Sequence, residues 1–383
     1  MSLFVTLRTL MNNQVFVKGE NNRKSKRSGD YPLLFSVILL SLIGLVFVYS
    51  ASKYSSQTSY GDEFYVAKKH FVGLLLGYSA MLFGACFDYR KYKKIGYLVI
   101  IVALVLLVLV FTPLGYSNYG ATRWIKIGSV TIQPSEFAKI CYIIFVATYF
   151  DKNPLRSKSF LGVLPVVLVG AAICVCIILE PNMSITVCFG LLMLALLFIA
   201  GMKISHFLIV LTPIVACIPL LIIAEPYRLN RLSAFLNPWA SPKGEGYQLI
   251  QSLYALGSGG WFGVGLFNSR QKFRFLPFSE SDFILAVIGE EIGFIGLIAL
   301  FCLIVFIVIR GISVAIKSKD YFGFILATGI SAIIGIQSLV NALVVTGSIP
   351  PTGLPLPLVS AGNTSLITFL FAYGVVFNVS RRY

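Results

Sequence analysis

Charge is scarce in this sequence. Charged residues make up 12% of its 383 positions and hydrophobic ones 57%, with a mean hydropathy of +0.86. A soluble domain carries about a quarter charged residues, so the shortage excludes an ordinary soluble enzyme. No polar interval is long enough to bury a core of its own. Acids are scarcer still: 15 Asp and Glu face 31 Lys and Arg, a net charge of +16. Such an excess raises nucleic acid as a ligand. The cations sit at the ends of apolar runs, however, which favours topology signals and anionic lipid, and no nucleic-acid partner is expected. Metal-like cysteine spacing is missing. Cys86, Cys141, Cys174, Cys176, Cys188, Cys217 and Cys302 all lie in or beside apolar runs and read as reduced, small hydrophobic residues. A cleavable signal is missing too. Residues 1–30, with Arg23, Lys24, Lys26 and Arg27, contain no apolar region followed by a cleavage site, so the first span is kept and the tail is expected to be disordered and cytoplasmic. Gly257-Ser258-Gly259 lacks the third glycine of a dinucleotide loop, because Phe262 stands in its place, and no βαβ unit surrounds it. Glycine-rich backbone approaching a ligand or a neighbouring helix fits better.

What the chain has is apolar runs of membrane length, roughly 20 residues. Hydropathy gives ten spans, at about 31–51, 70–88, 96–114, 136–150, 160–179, 184–202, 206–224, 282–309, 322–346 and 356–379. The expected fold is an all-α polytopic membrane protein, with residues 31–383 as one integral domain. Alternate loops carry Arg90, Lys91, Lys93 and Lys94; Lys152, Arg156 and Lys158; Lys203; Arg310, Lys317 and Lys319; and Arg381 and Arg382. With both termini cytoplasmic, every one of these clusters is cytoplasmic, as the positive-inside rule requires.

The same topology puts loops 52–69, 115–135, 225–281 and 347–355 outside. The third, between helices seven and eight, is the only long polar interval. Arg123, Lys126, Arg228, Arg231, Lys243, Arg270, Lys272 and Arg274 break the charge bias there. Lys243 reads as a solvated surface residue. The sets Arg228/Arg231 and Arg270/Lys272/Arg274 favour an anionic ligand at the outer leaflet.

Asp282 stands where the long loop re-enters the membrane. A carboxylate in a first helical turn is favoured by the helix dipole, which predicts a lowered pKa. Facing a cation-rich loop, it can serve as a general base; Ser281-Asp282 as a simple helix cap is an equal reading. Glu290 lies about 80° round the same helix and Glu291 on the opposite side. A glycosidase-like carboxylate pair is therefore not indicated, and at least one of the two acids is expected to bond a partner inside the bundle. Pro134-Ser135-Glu136 reads as a helix start, with Glu136 and Lys139 either pairing or touching substrate, and Trp124 is an interfacial anchor or a contact. Gln337 and Asn341 share a helix face and predict interhelical hydrogen bonds. The broken, proline-rich run from Pro350 to Ser365 must line a cavity or lie against protein. Its Asn363-Thr364-Ser365 sequon is discounted by its position inside a span.

Arg123-Trp124-Ile125, Gln133-Pro134-Ser135-Glu136, Pro226-Tyr227-Arg228, Gly246-Tyr247-Gln248, Gln251-Ser252, Leu276-Pro277, Asp282-Phe283-Ile284, Gly289-Glu290-Glu291-Ile292-Gly293 and Pro351-Thr352-Gly353 together resemble the SEDS family (shape, elongation, division and sporulation), which includes FtsW, RodA and SpoVE. The resemblance runs from about residue 31 to the end, and residues 228–239 are closer to the division and sporulation branch. It implies ten transmembrane helices with a large extracytoplasmic loop between helices seven and eight. It also implies an inverting peptidoglycan glycosyltransferase that polymerises lipid II at the outer face of the bacterial cytoplasmic membrane, with the family's essential aspartate at Asp282. The site it implies, taken with the cation and motif readings, adds Arg123, Trp124, Glu136, Lys139, Arg228, Arg231, Gln248, Gln251, Ser252, Lys272 and Ser360 as substrate-binding residues. The leaving diphosphate needs positive charge from arginine, lysine or a divalent ion, Mg or Mn; no cofactor is otherwise expected. Expected partners are lipid II, a class B penicillin-binding protein acting as transpeptidase, and division or sporulation proteins. Three stretches depart from the family. Phe278 and Glu280 replace the Glu and His of Leu-Pro-Glu-x-His-x-Asp. Pro181-Asn182-Met183-Ser184 replaces Pro-Asp-x-Gly, and Ser360-Ala361-Gly362-Asn363-Thr364-Ser365 replaces Ser-Tyr-Gly-Gly-Ser-Ser. They favour, as alternatives, a non-catalytic division or sporulation scaffold; the broken last helix and the Glu290/Glu291 pair favour a flippase for the lipid-linked precursor.

Overall fold

A computed structural model describes residues 29–118, 121–128 and 130–382. The basic cluster of the tail, Arg23 to Arg27, lies outside them. The described residues form twelve α-helices and one small sheet. In chain order these are α1 (Tyr31–Tyr60), α2 (Tyr65–Cys86), α3 (Tyr89–Leu109), strands β1 (Gly115–Asn118), β2 (Ala121–Ile127) and β3 (Val130–Ile132), then α4 (Pro134–Lys152), α5 (Phe160–Leu179), α6 (Met183–Ile199) and α7 (Ile204–Ile223). α8 (Pro226–Leu236) and α9 (Tyr247–Gly259) follow, and α10 (Ile284–Ile316), α11 (Tyr321–Val345) and α12 (Asn363–Ser380) complete the chain.

Each predicted span falls on one of these helices. Eight are long and apolar enough to cross a bilayer: α1, α2, α3, α5, α7, α10, α11 and α12. α6 is apolar but shorter, and α4 carries Glu136 and Lys139. The loops differ more than the spans. Most of the expected loop 52–69 is helix, because α1 runs on to a left-handed Gly61. The 115–135 loop is not irregular but a three-stranded antiparallel sheet, β1-β2-β3. The last helix begins only at Asn363, since Pro350, Pro351, Pro355 and Pro357 remove backbone donors from the run before it.

Both ends of the bundle chain lie together. The Asp30 N–H donates to Ser380 Oγ at 2.9 Å, and the Asp30 side chain caps α1 and accepts from Arg310 of α10 at 2.6 Å. An even number of crossings follows. The same end gathers the pairs Lys93–Asp151, Arg90–Asp320 and Arg382–Asp88, which join the predicted cytoplasmic loops to one another.

α2 and α12 make the most extensive helix pair. Gly73 and Gly77 are one turn apart on α2, with Gly84 further along, and a Cβ on any of them would strike α12. A Cβ on Gly374 of α12 would come 2.1 Å from the Met81 carbonyl. Small residues let the backbones approach where lipid supplies no hydrophobic drive.

α10 has 33 residues, about 50 Å at 1.5 Å per residue, against a bilayer core of about 30 Å. It is broken at Gly293, whose φ is 68°. The glycine cluster after α9 packs into the break. Val264 and Gly265 donate backbone hydrogen bonds to the carbonyls of Glu290 and Glu291, and a Cβ on Gly293 would lie 2.3 Å from the Gly263 nitrogen. The cluster thus serves close approach to a helix.

Candidate active site

Asp282 lies two residues before α10, half-buried, where the loop from α9, the β2 strand, α8 and the irregular run before α12 converge. It does not cap the helix: Phe283 occupies that position without a side-chain cap. The backbone holds it from two sides. Asn341 Nδ2 of α11 donates to the Asp282 carbonyl at 2.8 Å and to the Leu354 carbonyl at 2.7 Å. Ser360 Oγ donates to the Ser281 carbonyl at 2.7 Å and accepts from the Leu356 N–H, while the Ala361 N–H donates to the Glu280 carbonyl. Gly353 completes the floor, since a Cβ there would lie 2.8 Å from Asp282 Oδ2. Among the described residues the carboxylate itself accepts no hydrogen bond, so it is free to meet a ligand.

Its electrostatics run against the expected direction. Burial pushes the carboxyl up to about 6; the Arg123 and Arg231 charges oppose that rise, and Glu280 adds to it. The dipole argument fails because Asp282 precedes the first turn and caps nothing. Both arginines are anchored by main-chain carbonyls, which leaves their charge uncancelled. Arg231 donates to the Pro351 carbonyl at 3.2 Å and stacks 4.5 Å over Tyr227. Arg123 Nε donates to the Glu180 carbonyl at 3.3 Å, and Nη2 donates to the Pro181 carbonyl.

The other singled-out residues divide by position. Gln248 on α9 donates to the Pro277 carbonyl at 3.4 Å, within the loop that carries Asp282. Gln251 is half-buried on the same helix, and Ser252 is buried there with its hydroxyl given to the Val345 carbonyl at 2.7 Å. Trp124 stands half-buried on β2, paired with Tyr116. Arg228 donates to the Leu221 carbonyl at 2.7 Å. Glu136 and Lys139 are buried and paired at 2.8 Å; Lys139 also donates to Gln337 at 2.7 Å, and Gln337 reaches the Pro355 carbonyl. Lys272 is buried with Glu291 at 3.3 Å, with Phe267 and Ser50 as further partners. Glu290 accepts from the Arg270 and Gln271 N–H groups and from the Ser258 and Ser269 hydroxyls. Glu290 is therefore satisfied through both oxygens inside the bundle, whereas Glu291 is paired through Oε1 and its buried Oε2 has no partner. Arg274 donates to Ser59 at 2.6 Å.

Comparison with known proteins places this arrangement. The family model described as "Cell cycle protein", named for FtsW, RodA and SpoVE, matches residues 31–383. The chain belongs to that family. "Stage V sporulation protein E" of Bacillus subtilis is 40% identical to this family member, over 93% of the chain and 98% of the relative. "Probable peptidoglycan glycosyltransferase FtsW" of Geobacter metallireducens is 38% identical, over 94% and 97%. Among solved structures, one described as "Structural coordination of polymerization and crosslinking by a peptidoglycan synthase complex" aligns with a TM-score of 0.77 at 26% identity, covering 92% of this chain and 98% of its own. The Thermus thermophilus rod shape determining protein RodA shares the fold, with a TM-score of 0.69 at 24% identity over 92% and 97%.

Within this SEDS family member, all three departing stretches touch the site: Glu280 lies beside Asp282, Ser360 and Ala361 hold the Ser281 and Glu280 carbonyls, and the Pro181 carbonyl accepts from Arg123. Phe278 is half-exposed with a φ of 56°, and the half-buried Glu280 adds negative charge beside Asp282. Asn182 caps α6 by accepting from the Ile185 N–H. Three residues of the site escaped sequence reading in their roles: Asn341 as the clamp on the Asp282 carbonyl, Gly353 as its floor, and Glu180. Only the first left a signal, as one of two amides, with Gln337, sharing a face of an apolar span.

Proposed function

We propose that this chain is a peptidoglycan glycosyltransferase that polymerises lipid II at the outer face of the bacterial cytoplasmic membrane. The observation that carries the reading is the free Asp282 carboxylate, rigidly held and facing Arg123 and Arg231, in a chain 38% identical to relatives named as such transferases. In its ionised form Asp282 takes the proton from an acceptor sugar hydroxyl. The hydroxyl oxygen then bonds to the anomeric carbon of the donor as the carbon–oxygen bond to the diphosphate breaks. Direct displacement inverts that carbon. The diphosphate leaves with the electron pair, already a stable anion, so positive charge serves it better than a general acid. Arg123 and Arg231 are placed to supply that charge.

No group of three or more His, Cys, Asp or Glu able to hold a metal ion occurs among the described residues. Any Mg or Mn used is proposed to arrive on the donor diphosphate, whose oxygens suit a hard cation. The same reading puts both termini in the cytoplasm, supported by the cation-rich end where Asp30 meets Ser380. It takes a class B penicillin-binding protein as partner, supported by the synthase-complex description of the similar structure. Division or sporulation proteins are proposed from the relatives' names.

The test is lipid II polymerisation by the purified protein, alone and with its transpeptidase, beside Asp282→Asn. Glycan from wild type and none from the variant is the expected result. Equal glycan from both rejects Asp282 as the base. None from either, with the complex intact, leaves the scaffold; lipid II crossing liposome leaflets regardless of Asp282 substitution leaves the flippase.

A further inference from the structure

Glu180 follows α5 and opens the turn into α6. Its side chain is 1% exposed, and neither carboxyl oxygen has a hydrogen-bond partner. A buried carboxylate without partners is costly, and the group escapes by keeping its proton. Burial accordingly pushes it up to about 8, with Arg123 opposing the rise. Arg123 of β2 and Cys176, one turn earlier on α5, are the ionisable groups that interact with it.

Arg123 joins this carboxyl to the site. Its guanidinium is pinned by the main-chain carbonyls of Glu180 and Pro181, not by the Glu180 side chain. The same guanidinium feels Asp282, Tyr227 and Arg231. One cation therefore stands between two carboxyl groups, its position fixed by backbone.

We propose that Glu180 is a positioning residue of the Asp282 site: as a neutral acid it leaves the charge of Arg123 to Asp282 and to the diphosphate of a bound donor, and on ionising it claims that charge for itself. The inference rests on the glycosyltransferase reading above. Loss of one proton from Glu180 is the whole of the switch.

The experiment measures binding of undecaprenyl diphosphate to the full chain in lipid nanodiscs at pH 7 and pH 9, for wild type and Glu180→Gln. Infrared spectra of the same samples are recorded without ligand. Wild type is expected to lose about tenfold in affinity over this range, the worth of one charge-assisted hydrogen bond. Glu180→Gln, which cannot ionise, is expected to hold its affinity; titration of the probe affects both proteins alike. The spectra are expected to show a protonated carboxyl band at pH 7 that the substitution removes and pH 9 abolishes. Absence of that band in wild type, or the same pH slope in both proteins, overturns the proposal. A purely structural Glu180 shows itself as lower thermal stability of Glu180→Gln with an unchanged slope. Failure of the glycosyltransferase reading looks different: Asp282→Asn would polymerise lipid II at the wild-type rate.

Discussion

Gly353→Ala tests how tightly the Asp282 carboxylate must be held. The added methyl would sit 2.8 Å from Asp282 Oδ2, whereas ordinary contact begins at 3.4 Å, so the carboxylate must retreat by about 0.6 Å. The obstacle is the end of a side chain, which can move at little cost to the fold. Its backbone cannot follow, because Asn341 holds the Asp282 carbonyl and Ser360 holds that of Ser281. The carboxyl therefore swings while its anchor stays. A misplacement of about 1 Å in a catalytic group can cost 10²-fold. A shift of this size is expected to lower kcat on the order of tenfold, about 1.4 kcal/mol of barrier. KM and thermal stability should stay near wild type. The assay is steady-state lipid II polymerisation with the transpeptidase present, beside the unfolding midpoint. A kcat within twofold of wild type, with Asp282→Asn inactive, would refute the claim that this glycine sets the position of the base.

The acid limb of polymerisation should fall near pH 6. Asp282 is raised from its ordinary value, so the ionised base is lost below about 6 and the rate drops roughly tenfold per unit beneath it. Arg231 opposes the rise, so Arg231→Ala should move the limb to higher pH; a limb near pH 4 contradicts the assignment. Lys272→Met should cost about 3–5 kcal/mol of stability by stranding the buried Glu291, and Glu291→Gln in the same chain should restore most of it. A weakened KM with unchanged unfolding would instead make Lys272 a ligand contact. Gly293→Ala should fold poorly or not at all, because the positive φ resists a side chain and the methyl meets the Gly263 backbone at 2.3 Å. A normal yield and unfolding midpoint would show that the break in α10 is not needed.

The spans were legible because lipid imposes length and apolarity on the sequence directly. Asp282 was legible through its motif. Its ionisation was not, because the helix-dipole argument assumed a first-turn position that the backbone around Phe278 does not provide. Charge alone misassigned environments as well. Lys272 reads like Arg231 in the sequence, yet the fold buries it on Glu291, whereas Arg231 keeps its charge near Asp282. Such differences depend on which distant segment arrives opposite each cation. Glu180 left no sequence signal, since its lack of partners exists only once α5, α6 and β2 have met. The GxxxG spacing of Gly73 and Gly77 went unread, and the helix it packs against lies nearly 300 residues away.

That distance bears on how the protein is made. α2 leaves the ribosome with its small-residue groove formed, but the helix that fills it begins 277 residues later, at Asn363. At about 5–20 residues per second, synthesis of the interval takes roughly 14–55 s. Throughout that time α2 must wait in the bilayer with the unpartnered His70 and its bare glycine face open to lipid or to an insertase. Truncations before α12 should accordingly be cleared by membrane proteases, and residence on the insertion machinery should end when Asn363 to Ser380 arrive.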